Sequence, residues 1–274
     1  TRTKSSAASD VYKRQGYFKA LLFLSSGSVI HGVHDEQDMD KMGNLFSKMK
    51  ITAVMMWIGT LAIIGFPYSS GYFSKDLILS SSFNLISLGP LVYVILAIVS
   101  AMTAFYSFRL IFKVFHGNYN GSYDYEKIHE SGPFMLVPLL LLSVGAILAG
   151  LFLNDLLAGY NSKNFWNGII FLSQDKQYYS SFYSILSKSL VAFGVGLAVY
   201  YYGYNLNKLA DLKKRFHSIY NFILNKWYFD ELYNKIFVLP LYNLGKFLWT
   251  KIDQGIIDKY LPNGSASIVS TISK

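Results

Sequence analysis

The sequence contains no cysteine in 274 residues. Disulfide scaffolds, thiolate zinc sites and cysteine-bound iron–sulfur clusters are therefore excluded, which leaves any redox chemistry to a partner or to none. Charged residues are also scarce at 15%, whereas hydrophobic residues make up 52% and aromatic residues 17%. A soluble domain of this length carries more charge and less apolar surface, so the composition indicates a membrane protein.

No single basic stripe is present either, although the formal net charge is +9. Such a charge would suggest nucleic acid as the partner of a soluble protein, but lysine and arginine are dispersed between apolar runs. We therefore expect membrane lipid as a partner and no nucleic acid. The histidines are scattered without a third ligand cluster, so we assign no metal.

Both ends of the chain differ from the apolar middle. Residues 1–15 are small, polar and basic, and they contain no apolar region or cleavage-site pattern of a signal peptide. We interpret them as a non-native or misread segment. The chain ends in Ser/Thr-rich sequence after Leu261–Gly264, and we interpret it as an internal fragment of a longer protein.

Five apolar stretches are long enough to cross a hydrocarbon layer of about 30 Å at about 1.5 Å per residue. They cover residues 16–33, 51–83, 88–115, 133–153 and 184–204. The sequence therefore predicts an all-α fold, a polytopic membrane helix bundle over residues 16–204.

The second stretch contains the sequence GFPYSSG at residues 65–71, followed closely by Lys75 and Asp76. Pro67 removes a backbone donor and its ring clashes with the preceding turn, so we predict one broken helix made of two halves. Broken helices and charges at membrane depth persist only beside protein or a water-filled cavity, which indicates an ion path. The alternative is that Lys75 extends to the surface at a membrane boundary.

Loop charges alternate between the two sides of the predicted bundle. The positive side carries Lys41, Lys48 and Lys50, then Lys113 and Lys127, then Lys208, Lys213, Lys214 and Arg215, whereas the opposite side carries Lys163 and Lys176. Positive loops face the cytoplasm or its organellar equivalent. We therefore expect residues 205–274 on the cytoplasmic or matrix side.

Residues 226–260 mix aromatic and aliphatic residues with charges. This pattern is typical of an amphipathic helix that lies along a membrane or along the flank of a membrane protein. We expect Pro240 and Gly245 to divide it. The helix is either a cap on the bundle or a strut that reaches neighbouring subunits, and the pattern favours neither.

Several motifs resemble a known family, the antiporter-like membrane subunits of respiratory complex I, called L in bacteria and 5 in mitochondria. The motifs are KALLFLSSGSVIH at 19–31, HDEQD at 34–38, KMG at 41–43, GYFSKD at 71–76, TAFYSFR at 103–109, FHG at 115–117 and YFDELY at 228–233. The resemblance extends over essentially everything after Gln15. It implies a proton-translocating antiporter-like domain at 16–204, followed by a connection and the start of a C-terminal lateral helix at 205–274.

The resemblance also implies a role for particular residues. Lys19 matches the lysine in the middle of a half-channel, and Lys75 matches the lysine on the broken helix that opens toward the outer side. Lysine suits such a relay because apolar surroundings favour the neutral amine and a nearby carboxylate or water favours the charged form. Asp76 is expected to tune Lys75 or to accept the proton at the exit, and His31 to connect Lys19 with the cytoplasmic side.

One departure from the family pattern concerns Lys19. Family members carry histidines one and two helical turns before this lysine, where this sequence has Gln15 and Val11. Both positions fall in the segment interpreted as non-native. For His31 a hydrogen-bonded position at a helix end is an equally good interpretation.

By the resemblance, the chain is a subunit of a proton-translocating NADH:quinone oxidoreductase of a bacterial inner or mitochondrial inner membrane. Other membrane subunits of the complex are the expected partners, and FMN, iron–sulfur clusters and quinone are expected in partner subunits, with no cofactor in this chain. The main alternative is a subunit of a multisubunit cation/proton antiporter, since a broken helix with a central charge also occurs in transporters. A membrane scaffold with idle charges is a third interpretation.

Overall fold

The apolar stretches of the sequence become helices because a backbone in lipid must satisfy its hydrogen bonds internally. The computed structural model describes residues 3–83, 88–157 and 181–274, and every regular element in these ranges is helical. The chain forms two compact units, Thr1–Leu206 and Asn207–Lys274. An all-α membrane helix bundle is thereby confirmed as the fold class.

The first unit contains six α-helices in the described residues. They are α1 (Thr3–Gly32), α2 (Lys50–Ile64), α3 (Ser70–Phe83), α4 (Gly89–Phe115), α5 (Pro133–Leu157) and α6 (Ser181–Ala198), which continues as a wider π-helical stretch over Val199–Tyr204. Three segments in the described ranges are long and apolar enough to cross a membrane: Gly89–Phe115, Pro133–Gly150 and Phe182–Tyr204. The shorter α2 is equally apolar in character, as expected of half a broken helix.

The predicted break lies between α2 and α3. Gly65 ends α2 in the left-handed conformation at φ 80°, which glycine adopts without a steric penalty, and its N–H donates to the carbonyl of Ala62. Tyr68 also has a positive φ of 68° in the loop, just after Pro67. The chain then re-enters a helix at Ser70. The break therefore comes earlier than Gly71, which is itself helical.

Helices α1, α2 and α5 share a core at the level of this break. Phe18, Leu21, Met55, Leu139 and Ala146 are buried together between them. α5 approaches the loop before α3 so closely that a Cβ on Gly150 would lie 2.8 Å from backbone atoms of Ser69 and Ser70. The broken helix is therefore held by backbone-to-backbone packing.

Helices α4 and α6 pack side by side on the other side of the break. A Cβ on Gly194 would lie 2.3 Å from the carbonyl oxygen of Ala101, so glycine allows the two backbones to meet. At one end of the pair the buried Tyr93 donates its hydroxyl to the carbonyl oxygen of Tyr183, at 2.6 Å. These contacts fix α6 against α4 next to the broken helix.

The loops after α1 and after α4 meet at one end of the bundle. The N–H of Asn44 donates to the carbonyl of His116 at 3.4 Å, and Lys48 pairs with Glu126 at 2.8 Å. The positive loops at 33–49 and 116–132 thus lie on one side of the bundle. Lys163 and Lys176, which the sequence assigns to the opposite side, lie outside the described residues.

The exposed first loop contains a local carboxylate contact. The N–H of Asp38 donates to the Glu36 carboxylate, and Lys41 forms an ion pair with it. Both contacts lower the pKa of Glu36, and the hydrogen bond from Asp38 has the larger effect. Protonation of Glu36 as the pH falls through this lowered pKa therefore opposes the folded loop conformation.

The second unit consists of helical segments: α7 (Leu206–Arg215), α8 (His217–Leu224), α9 (Phe229–Tyr233), α10 (Leu239–Phe247) and α11 (Pro262–Ile272). Lys226, Trp227 and Tyr228 all have positive φ, and they separate α8 from α9. From Phe229 to Tyr260 the backbone remains helical, with π-helical turns over Asn234–Val238 and Leu248–Asp258.

Pro240 and Gly245 do not divide this helix, and that prediction was wrong. Pro240 comes directly after the π-helical turn, and it occupies the first turn of α10. A wider turn relieves the clash between the proline ring and the preceding carbonyls, and the first turn of a helix needs no donor from proline. The interruption lies instead before this helix, at Lys226–Tyr228.

Candidate functional site

A cavity of about 390 Å³ lies where the helix break faces α4 and α6. Its walls come from the end of α2, the loop at Gly65–Pro67, the first turns of α3 and the facing sides of α4 and α6. Lys75 and Asp76 of α3 and Lys188 of α6 are the charged residues in this lining. The predicted ion-path residues Lys75 and Asp76 therefore line the same cavity.

Lys75 is half-buried in this cavity, and its Nζ donates to the carbonyl oxygen of Ile64 at 3.2 Å. This carbonyl belongs to the last turn of α2, where the break leaves carbonyl groups without helical donors. A cation at a helix C-terminus also interacts favourably with the partial negative charge there. The break thus creates the acceptor that holds the ammonium group.

No carboxylate in the described ranges lies within 4.0 Å of this ammonium group. Asp76, the next residue, points to α6 instead, with its Oδ2 3.4 Å from Lys188 Nζ. Lys188 also donates to the hydroxyl of Tyr72 at 2.9 Å and lies 4.8 Å from the centre of that ring. Asp76 therefore contacts Lys188, and not Lys75, in this arrangement.

Lys188 and Tyr72 were missed by the sequence analysis. Lys188 lies within the last apolar stretch, and an ionisable residue at membrane depth is by itself a sign of function. That signal was present in the sequence. The pairing of Lys188 with Asp76 was not, because it depends on α3 and α6 both packing on α4, and the two residues are 112 positions apart in the chain.

Lys19 and His31 lie outside this cavity. Lys19 is exposed on α1, and its Nζ donates to Gln15 Oε1 one turn earlier, at 3.1 Å. The neighbouring Phe18 is buried and approaches Gly71, since its Cε1 lies 3.7 Å from a Cβ built there. Lys19 is therefore level with the helix break but on the outward face of α1.

His31 is exposed near the C-terminal end of α1. Twelve residues separate it from Lys19, which is about 18 Å along a helix at 1.5 Å per residue. The structure thus brings Lys75 and Asp76 together, and it leaves Lys19 and His31 separated along another helix. A direct contact among all four residues is not present.

Arg109 is a further cation within an apolar helix, four residues before Lys113 in α4. Its guanidinium carbon lies 5.9 Å from the ring centre of Tyr202, in the π-helical stretch after α6. A cation over an aromatic face is stabilised by the ring quadrupole. Arg109 therefore joins α4 to the chain after α6 and does not line the cavity.

Two family models match the chain. NADH dehydrogenase subunit 5 C-terminus matches residues 106–274, and NADH:quinone oxidoreductase/Mrp antiporter matches residues 14–104. NADH-ubiquinone oxidoreductase chain 5 of Chondrus crispus is 38% identical over 93% of this chain and 40% of its own length. NADH-quinone oxidoreductase subunit L of Rickettsia felis is 34% identical over 94% of this chain and 42% of its own.

The chain thus spans about two fifths of the length of these relatives. Among solved structures, a chain of the Mrp complex from Dietzia sp. DQ12-45-1b superposes with a TM-score of 0.54 at 18% identity. That superposition covers all of this chain and 29% of the Dietzia chain, and it supports the fold. Because the first family model covers more than half of the residues, this chain belongs to the NADH dehydrogenase subunit 5 family.

Proposed function

We propose that this chain is the proton-translocating part of a membrane subunit of NADH:quinone oxidoreductase. NADH oxidation and quinone reduction take place in partner subunits, which hold FMN, iron–sulfur clusters and quinone. The observation that carries the proposal is Lys75, a half-buried lysine inside a cavity at a broken membrane helix. A lysine in this position serves to take up and release a proton within the bilayer.

The cavity lining contains one carboxylate, Asp76, and two cations, Lys75 and Lys188. Asp76 follows Lys75 directly in the chain and contacts Lys188. When the carboxylate turns from Lys188 toward Lys75, it stabilises the protonated amine; when it returns, Lys75 keeps the Ile64 carbonyl as its protein partner and gives up the proton more easily. Small movements of α3 against α6 therefore load and unload Lys75.

The expected location and partners derive from the same proposal. The loops at 33–49 and 116–132 lie at one end of the bundle and carry Lys41, Lys48 and Lys127. By the positive-inside rule this end faces the cytoplasm or the mitochondrial matrix, with residues 205–274 on the same side. Other membrane subunits of the complex cover the apolar residues that are exposed on both units, for example Phe134 and Phe229.

A cation/proton antiporter subunit is the second candidate. It is supported by the family model shared between NADH:quinone oxidoreductase and Mrp antiporters, and by the superposition on the Mrp complex. The two functions differ in what drives them. An oxidoreductase subunit moves protons when NADH is oxidised, whereas an antiporter moves them in exchange for a cation gradient.

The proposed function is tested with the full-length protein in its complex, reconstituted into vesicles. The number of protons pumped per electron from NADH is measured with the subunit present and in a complex assembled without it. We expect the ratio to fall when the subunit is missing, in the presence of a sodium ionophore as well as in its absence. An unchanged ratio, or proton movement that depends only on a sodium or potassium gradient, would contradict the proposal.

A double-mutant cycle tests the Asp76–Lys188 contact. We expect Asp76→Asn and Lys188→Gln each to lower the proton-to-electron ratio severalfold, and the double variant to be no worse than either single variant. The reason is that removing one partner leaves a charge unpaired in an apolar cavity, and removing both does not. Lys208→Gln, in the second unit, serves as a control for the loss of a lysine. Strictly multiplicative losses would show that the two residues act independently.

A further inference from the structure

Glu130, in the loop before α5, closes the N-terminus of α2. Its carboxylate accepts hydrogen bonds from the N–H groups of Ile51 and Thr52, at 2.8 and 3.3 Å, and from the hydroxyl of Thr52. Met49, at the start of the helix, supplies no side-chain cap. The carboxylate thus satisfies donors that the helix itself leaves open.

The hydroxyl of Thr52 connects Glu130 to a chain of hydrogen bonds in the protein interior. Thr52 Oγ1 lies 3.0 Å from Ser28 Oγ of α1, which in turn lies 2.6 Å from Ser131 Oγ. Thr52 and Ser28 are completely buried and Ser131 is nearly so, whereas Glu130 is half-exposed. A helix cap requires the carboxylate and the N–H groups only, so the inward chain of hydroxyls is a separate feature.

Two more buried hydroxyls lie along the seam between α1, α2 and α5. Ser25 is one turn before Ser28 on the face of α1 that buries Leu21, and Ser70 lies at the start of α3, where it packs on Gly150. Both are fully buried, and their Oγ atoms have no hydrogen-bond partner in the described part of the protein. A buried hydroxyl without a protein partner costs about 1–3 kcal/mol, which is offset when a water molecule binds there.

The polar groups occupy the two ends of this seam. Thr52, Ser28 and Ser25 lie at the end with the positive loops, and Ser70 lies at the break, five residues before Lys75. Leu21, Met55 and Leu139 form the apolar layer between them. Such an arrangement separates two polar regions by an apolar layer, and Ser70 itself is not among the residues that line the Lys75 cavity.

We propose that Glu130, Thr52 and Ser28 form the entrance of a proton path that runs along this seam to Lys75. The proposal rests on the proposed function and extends it to the side from which protons enter. Protonated Glu130 transfers its proton to Thr52 Oγ1 as Thr52 passes its own to Ser28 Oγ, and Ser28 passes one to a water molecule at Ser25. The hydroxyl oxygens of Thr52 and Ser28 each gain one O–H bond and lose one, Glu130 becomes a carboxylate, the water molecule becomes hydronium, and rotation of the hydroxyls restores the starting arrangement.

The surroundings of Glu130 suit an entrance. Lys50 is exposed directly beside its backbone contact at Ile51, and His129 and Lys127 precede it in the same exposed loop. The ion pair between Lys48 and Glu126 neutralises the other nearby carboxylate. Glu130 is thus the carboxylate in the described part of this loop that reaches a buried hydroxyl.

Glu130→Gln is the decisive variant. In the wild type Ile51 N–H and Thr52 N–H donate to different carboxylate oxygens, so the single amide oxygen of glutamine retains one of these two contacts, but glutamine carries no acidic proton. In the full complex in vesicles we expect the proton-to-electron ratio to fall at least about tenfold, since a positioned proton-transfer group typically contributes about 10²–10⁴-fold to a rate. Glu126→Gln, in the same loop, is the matched control and leaves the ratio unchanged.

Thr52→Val tests the hydroxyl chain independently, because valine has nearly the same shape and no oxygen. We expect a similar loss, which Thr52→Ser largely restores. The proposed entrance would be wrong if either Glu130→Gln or Thr52→Val had the wild-type proton-to-electron ratio. If complexes with Thr52→Val do not assemble, the Glu130→Gln variant alone tests the entrance, because this substitution leaves the packing of the buried side chains unaltered.

Lys75→Ala is measured in the same vesicles to separate the two proposals. If Lys75→Ala stops pumping and Glu130→Gln does not, the entrance is wrong and the proposed function remains. If both variants pump like the wild type, the proposed function fails as well. Loss in both, with Glu126→Gln unaffected, supports the complete path.

Discussion

Complexes that carry Lys75→Ala are expected to assemble and to pump at least about tenfold fewer protons per electron than the wild type. Alanine removes the amine from the cavity and leaves the Ile64 carbonyl without the donor that it now accepts from at 3.2 Å. Packing changes little, because the side chain borders open space and lies next to a cavity of about 390 Å³. The measurement is the proton-to-electron ratio in vesicles, together with the yield of intact complex.

The Lys75→Arg variant tests whether Lys75 acts by releasing a proton or only by its positive charge. The guanidinium group keeps a positive charge under all accessible conditions and therefore does not release a proton. We expect the same loss of pumping as in Lys75→Ala, although the charge in the cavity is preserved. Lys214→Arg, at an exposed lysine of α7, is the matched control. Wild-type pumping in Lys75→Arg would show that the residue acts only as a fixed charge.

Gly71→Ala is expected to have the largest effect on folding. A Cβ at this position would lie 1.8 Å from the carbonyl oxygen of Ala62, a backbone atom that no side-chain rotation moves away. Overpacking of this kind costs about 1–3 kcal/mol or more, and here it also pushes α3 away from the end of α2. We expect a strongly reduced yield of assembled complex and, in the remaining complex, weakened pumping because Lys75 moves from Ile64.

Gly196→Ala is the matched control for this variant. It lies in α6, where a Cβ would meet no atom within 4 Å. Alanine favours a helix over glycine by about 1 kcal/mol, so this substitution should leave assembly unchanged or improve it slightly. Equal yields for Gly71→Ala and Gly196→Ala would contradict the close packing of the break.

The helices and the break could be predicted from the sequence because they depend on local properties. Hydropathy identifies an apolar helix, and Pro67 with its neighbouring glycines identifies the interruption. The position of the helix end within that segment was less certain, and the left-handed residue turned out to be Gly65. Pro240 illustrates the opposite case, since a π-helical turn accommodates a proline that would otherwise end a helix.

The candidate site could be predicted only in part. Lys75 and Asp76 were identified because charges are rare in apolar stretches, but their partners depend on which helices become neighbours. The Asp76–Lys188 pair and the contact of Ser28 with Ser131 join residues that are 112 and 103 positions apart. The outward direction of Lys19 likewise depends on which face of α1 packs on α2 and α5. The residues around Lys19 do not reveal which face that is.

The acceptor of Lys75 has a consequence for how the site titrates. Two ionisable groups in direct contact lose their protons in coupled steps that belong to the pair and not to either member. The ammonium group of Lys75 instead rests on the peptide carbonyl of Ile64, whose charge distribution is the same at every pH. While Asp76 stays with Lys188, the proton on Lys75 therefore rests against an acceptor that does not itself titrate, and its occupancy responds to the supply of protons from either side.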